Sequence, residues 1–299
     1  MEAPLSFAPT RDIAGLGRIA HTLRKQVVRM VARTGQGYVQ QGLGAADLFA
    51  VLYFAEMRQQ PDAPGWPLRD RFILSTAHNT AIFYATLAVR GYFPPAQLDT
   101  YCADGSPLEI NASERLGPMI EATCGSLGQG LSVGVGMAAA MQRAGRDSPG
   151  RDSPGRDSPG RDSRVYVMLG DGELQEGQVW EAALAAGNWK LDRLCLIIDA
   201  NNMQVEGHVD QVQPHEPLAD KWRAFGWHVQ DIDGNDIAAI LQALAQARAV
   251  RGQPQCIIAR TLVGKGAPSL EGILGHNLRL PAEAARLALE ELDALEAQQ

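Results

Sequence analysis

An aspartate between two glycines, Gly170-Asp171-Gly172, and an asparagine pair thirty positions later, Asn201-Asn202, are the residues here best equipped for chemistry. Glycine on either side lets the backbone approach a phosphate closely. A carboxylate, an amide oxygen and a nearby backbone carbonyl form a hard oxygen set suited to Mg²⁺, which keeps some of its waters and shares diphosphate oxygens. Either cluster alone also reads as an ordinary turn, a strand-to-helix turn in one case and an Asn-rich turn in the other. Their joint occurrence, each closing an apolar run, favours the metal-diphosphate chemistry.

Such a pair needs strands to position it. Val165–Leu169 and Leu194–Ile198 read as buried strands, and residues 177–190 between them have helical composition. Strand, helix and strand make a parallel crossover, which sets Asp171 and Asn201 just beyond the carboxyl ends of two strands. Open α/β sheets bind ligands at that edge. The same alternation continues along the chain. Helices are expected over 11–33, 44–57, 79–91, 218–225, 237–251 and 281–297, and further strands at 72–75, 229–232 and 255–260. The fold class is therefore α/β, a doubly wound and mainly parallel sheet flanked by helices.

The stretch GDGELQEGQVWEAALAAGNWKLD resembles the amino-terminal half of a transketolase, and GDG followed by NN at this spacing is similar to the thiamine diphosphate motif. The similarity returns in RDRFILSTAH, GSLGQGLSVGVGMA, EPLADKWRAFGWHVQDIDGNDI and TLVGKG, in family order over nearly the whole chain. The resemblance implies one diphosphate-binding domain over residues 1–299 with thiamine diphosphate and Mg²⁺ as cofactors. Asp171 and Asn201 would hold the metal through side chains and Met203 through its carbonyl. Gly170, Gly172, Asn201 and His78 would lie by the diphosphate, with Gly125, Ser126 and Leu127 around the cofactor's rings. Glu176 would belong to the family's acidic network between paired active sites; a solvated helix carboxylate is its plain alternative.

The family's activating glutamate belongs to a second, pyrimidine-binding domain. The expectation is a split enzyme completed by a C-terminal transketolase-like partner subunit, in an α2β2 heterotetramer. The chemistry implied is transfer of a two-carbon ketol or acyl unit between carbonyl compounds. The substrate side departs from the sugar-handling pattern. Where relatives have Ser-Gly-His after the first helix, this chain has Thr34-Gly35-Gln36, and no histidine lies between His78 and His208, where relatives carry Gly-His-Pro. His276 matches the family's later substrate-side histidine. A glutamine can hydrogen-bond but cannot shuttle a proton near neutral pH. A 2-oxo acid such as pyruvate is thus a candidate donor beside a ketose phosphate. The alternatives are the decarboxylating subunit of an oxidative 2-oxo acid complex and a non-catalytic regulatory partner.

The remaining features bound these readings. With 45% hydrophobic residues and a net charge of −7, the chain has ample core and lacks the basic face that nucleic-acid binding requires. No secretory leader or membrane span is read from it, and four scattered cysteines suit a reducing, cytoplasmic setting. Basic residues on the first helix read as a solvated face. Residues 145–163 repeat GRDSP three times and end in GRDS; without apolar residues the tract cannot join a core and reads as a surface insertion.

Overall fold

Strands β1 (Arg71–Leu74), β2 (Val165–Gly170), β3 (Leu194–Ala200), β6 (His228–Asp233) and β7 (Gln255–Arg260) form one parallel sheet in the order β1-β2-β3-β7-β6. The structure, a computed structural model, describes residues 6–146, 163–272 and 280–296. His276 and nearly all of the GRDSP tract lie outside the described residues.

The central strands are apolar at successive positions because both faces of the sheet are covered. Side chains alternate between two cores. Tyr166, Met168, Cys195, Ile197 and Ile257 pack beneath helices α1 (Ile13–Thr34), α2 (Gln40–Val51), α3 (Thr80–Arg90), α8 (Ile237–Ala249) and α9 (Ala282–Glu296). Val165, Val167, Leu169, Leu194, Leu196, Ile198, Cys256 and Ile258 face α4 (Gln129–Arg146), α5 (Gly177–Asn188) and α7 (Leu218–Ala224). Fully burying one such aliphatic side chain contributes about 1.5–3 kcal/mol. The thiols of Cys195 and Cys256 are wholly buried, and burial pushes both upward in pKa.

Local signals set the helix limits. Asp12 caps α1 by accepting from the Gly15 N–H at 2.8 Å, and Gly35, in the left-handed region, ends it. Helix α2 begins at Gln40, four residues earlier than its apolar run predicts, and passes into a wider turn at Leu52–Glu56. The basic residues of α1 are not simply solvated. Arg24 is buried and meets the Asp47 carboxylate of α2 at 2.5 Å, while Lys25 bonds Asp293 and Glu296 of α9.

Topology opens the ligand-binding edge. The chain steps outward from β1 to β2 to β3 and on to β6, then returns one place to β7. Right-handed crossovers place the outward helices α5 and α7 on one face and the returning α8 on the other. The helix after β1 leaves toward one face and that after β2 toward the other, so a crevice forms between their carboxyl ends. The same divergence occurs between β3 and β7. No helix among the described residues is long and apolar enough to cross a membrane.

Candidate active site

Asp171, next after β2, is 6% exposed, and its carboxylate is fixed from two sides. Its Oδ1 accepts from the Gly172 N–H at 2.9 Å, and its Oδ2 from the Asn202 N–H at 2.5 Å. The two asparagines divide the work. Asn202 takes the left-handed conformation (φ 61°) that Asn tolerates better than most residues, and so turns its own N–H toward Asp171. Asn201 points its amide inward: its Oδ1 accepts from the Met203 N–H at 2.9 Å and its Nδ2 donates to Asp199 at 3.2 Å. Met203 opens a small hairpin, β4 (Met203–Gln204) and β5 (Gly207–His208), followed by the single-turn helix α6 (Val209–Val212). A side chain at Gly172 would come within 3.4 Å of the Met203 carbonyl oxygen, so that oxygen faces the Asp171 turn.

Charge explains what this arrangement lacks. Asp171, Glu173 and Asp199 are all buried, and none makes an ion pair with Lys or Arg among the described residues. Burial, reinforced by the neighbouring Asp199 and opposed by the two N–H donors, pushes Asp171 up to about 7. Burial also raises Asp199 and Glu173. A desolvated carboxylate with free lone pairs, flanked by an amide oxygen and a backbone carbonyl, fits a hard divalent cation. Among the described residues no cluster of three His, Cys, Asp or Glu side chains could hold a metal, so a cation here would depend on the mixed set.

His78 stands after β1 in the turn Ala77–Asn79. It packs so closely on the end of β2 that a side chain at Gly170 would meet its ring at 3.3 Å. Tyr38 meets His78 edge-on, with ring centroids 6.0 Å apart, and thereby ties the segment after α1 to the site. Gly125, Ser126 and Leu127 are exposed on the loop entering α4. Gln36 lies at the surface and lines a cleft of about 350 Å³ with Cys102, Asp104, Ser106, Glu109 and Arg115. Glu176 is exposed at the amino end of α5, with its Cβ against Gly128. His276 is outside the described residues.

Three buried residues escape a reading of the sequence. Asp199 accepts from Asn79, Asn201 and the Thr261 hydroxyl, and so orients the Asn201 amide. Glu173 accepts from Ser75, Gly128 and Gly170. His215 sits under the Asp171 backbone, and burial lowers its pKa. A charge closing the apolar run LCLIIDA was the available signal for Asp199.

The family described as "Transketolase, thiamine diphosphate binding domain" matches residues 17–289. The chain belongs to the transketolase family. It is 42% identical over 275 residues to the 6-deoxy-6-sulfo-D-fructose transketolase subunit of Clostridium sp. (strain MSTE9), covering 92% of this chain and 94% of that relative. It is 34% identical over 278 residues to an apulose-4-phosphate transketolase subunit of Phocaeicola vulgatus, covering 91% and 93%. The transketolase of Campylobacter jejuni superposes with a TM-score of 0.80 at 31% identity, over 96% of this chain and 48% of that one. For the Leishmania mexicana transketolase the values are 0.80, 26%, 96% and 46%. The chain thus spans about half the length of these solved transketolases, and nearly all of the two subunit relatives. The sheet is the family's thiamine diphosphate-binding α/β fold, and the family's enzymes are thiamine diphosphate-dependent transferases.

Proposed function

We propose that this chain is the diphosphate-binding subunit of a two-component, thiamine diphosphate- and Mg²⁺-dependent transketolase, which moves a two-carbon ketol unit from a ketose to an aldehyde. The observation that supports the reading is the buried Asp171 carboxylate, bonded by the Asn202 N–H next to Asn201, with the Met203 carbonyl facing Gly172 and His78 over Gly170 beside it. Two relatives with subunit names, matched almost end to end, support the split arrangement. The partner would carry the pyrimidine-binding domain, in an α2β2 assembly.

When bound, the cofactor supplies a thiazolium carbanion that adds to a carbonyl. This chain's own residues do the rest of the work available here. Asp171, Asn201 and Met203 would hold the metal, and the backbone at Gly170 and Gly172 would admit the diphosphate beside His78. Gly125, Ser126 and Leu127 would border the rings. Glu176, exposed at the amino end of α5, would join an acidic network with a neighbouring subunit. Gln36 would hydrogen-bond donor hydroxyls from the wall of its polar cleft, and His276 is assigned to the substrate side. The relatives' names support a ketose donor. The two missing imidazoles favour the second reading, an acyl unit from a 2-oxo acid.

The test is to purify the chain with a C-terminal transketolase-like partner chain and supply thiamine diphosphate, Mg²⁺ and either a ketose phosphate, a sulfoketose or pyruvate. Turnover by the pair alone, with a ketose consumed, is expected. Consumption of pyruvate in its place would transfer the assignment to the second reading. A pair that binds no cofactor would end both.

A further inference from the structure

Glu173 is the second residue after Asp171 and is 2% exposed, yet it is not among the residues assigned to the metal or the diphosphate. Its Oε1 accepts from the Gly128 N–H at 2.6 Å and from the Ser75 hydroxyl, while its Oε2 accepts from the Gly170 N–H at 3.1 Å. The Ser75 oxygen in turn accepts from the Gly130 N–H at 3.0 Å. One carboxylate therefore gathers the end of β1, the end of β2 and the loop at residues 125–130, three segments that meet nowhere in sequence.

The loop is shaped for this bond. Gly128 has φ 86°, and a Cβ there would come within 2.8 Å of the Glu176 Cβ; at Gly130 a Cβ would lie 2.4 Å from that of Ser75. Gly130 thus allows closure onto Ser75, and Gly128 allows the same segment to close onto the start of α5 while its N–H reaches Glu173. As a device for stability alone the carboxylate is a poor choice. Burying a charge without a cation costs several kcal/mol, and a well-packed apolar side chain of similar volume avoids that cost. Charge-assisted bonds offset part of it and give something an apolar residue cannot, a fixed direction for each donor.

We propose that Glu173 is a positioning residue that fastens the 125–130 loop to the Asp171 turn, so that the two ends of the cofactor cradle are held in register before the cofactor arrives. The inference rests on the thiamine diphosphate reading for what the cradle receives, but the fastening is a property of the cofactor-free chain. Glu173→Gln separates the links. Glutamine offers one acceptor oxygen and one amide donor, so it can satisfy either the Gly128 side or the Gly170 side and must turn a donor toward the other.

The experiment compares wild type, Glu173→Gln and Asp171→Ala by amide hydrogen exchange at Gly128, Gly130 and Gly170 without cofactor. It adds Mg²⁺-dependent thiamine diphosphate binding by calorimetry and a KM-against-kcat split for the cofactor in the complex with the partner. A lost hydrogen bond to a charged group predicts about tenfold to hundredfold faster exchange on one side of the clamp and a cofactor Kd raised by a similar factor. At saturating cofactor, kcat should stay within about threefold, because the reacting groups are untouched. Unchanged exchange in Glu173→Gln overturns the clamp. Weakened binding without faster exchange also overturns it, by showing that Glu173 acts on the cofactor directly. If wild type binds no thiamine diphosphate, the functional reading fails, while the exchange comparison still decides whether the clamp exists.

Discussion

Replacing Asp171 by asparagine should remove a pH dependence from the stability of the cofactor-free chain. Burial raises this carboxyl from 3.8 to about 7. The folded chain therefore holds its proton more tightly than the unfolded chain, and stability falls as pH rises between those values, then levels off. At about 1.4 kcal/mol per pH unit, the full span is worth about 4 kcal/mol. The asparagine side chain carries no titrating proton. Between about pH 5 and pH 7 the wild type should lose about 2–3 kcal/mol more than Asp171→Asn. The assay is urea unfolding of the metal-free chain, with chelator present, at several pH values, reading the difference between the two proteins so that the carboxylates common to both largely cancel. Mg²⁺ above pH 7 should stabilise the wild type and leave the variant unmoved. Parallel curves for the two proteins from pH 5 to 8 would refute the argument that Asp171 is a desolvated charge awaiting a cation.

Other changes test other parts of the structure. Gly130→Ala sets a methyl 2.4 Å from the Ser75 Cβ and should cost about 1–3 kcal/mol while weakening cofactor binding, read by thermal melts and calorimetry. Trp222 is fully buried beside Trp180 and Trp227, and its Nε1 has no hydrogen-bond partner among the described residues. Trp222→Ala should therefore cost about 3–5 kcal/mol in denaturant unfolding, and Trp222→Phe much less. Arg248 bonds the buried Glu56 at 2.6 Å and Asp70 at 3.2 Å, so Arg248→Ala should destabilise by about 3 kcal/mol or more. Gln36→His should improve use of a ketose donor in the assembled enzyme; an unchanged donor profile would detach Gln36 from substrate.

The sheet was legible because strands covered on both faces read as unbroken apolar runs, and the observed β2, β3 and β7 fall on those runs within two residues. The turns at Asp171 and Asn201 were legible at the carboxyl edge for the same reason, since these residues close those runs. What the sequence hid is tertiary. Asp199 looks like the polar end of a strand until Asn79 and Thr261, 120 and 62 positions away, are seen to converge on it. Glu173 looks like one more carboxylate in an acidic stretch, because Ser75 and Gly128 are remote in the chain. Arg24 reads as solvated until α2 brings Asp47 against it. The β4–β5 hairpin, at two residues per strand, is too short to leave a periodic trace, and its region reads as loop.

Helix α4 starts beside Ser75 at the carboxyl edge and runs back to Arg146, while the chain re-enters at Ser163, whose hydroxyl bonds the Leu68 carbonyl just ahead of β1. Departure and return both lie at the amino edge of the sheet, the pole opposite the Asp171 turn. The molecule thus has a chemical pole and a free address. A fluorophore, an affinity handle or a surface tether fixed near Ser163 would attach the protein by the amino edge of the sheet, leaving the Asp171 turn on the far side.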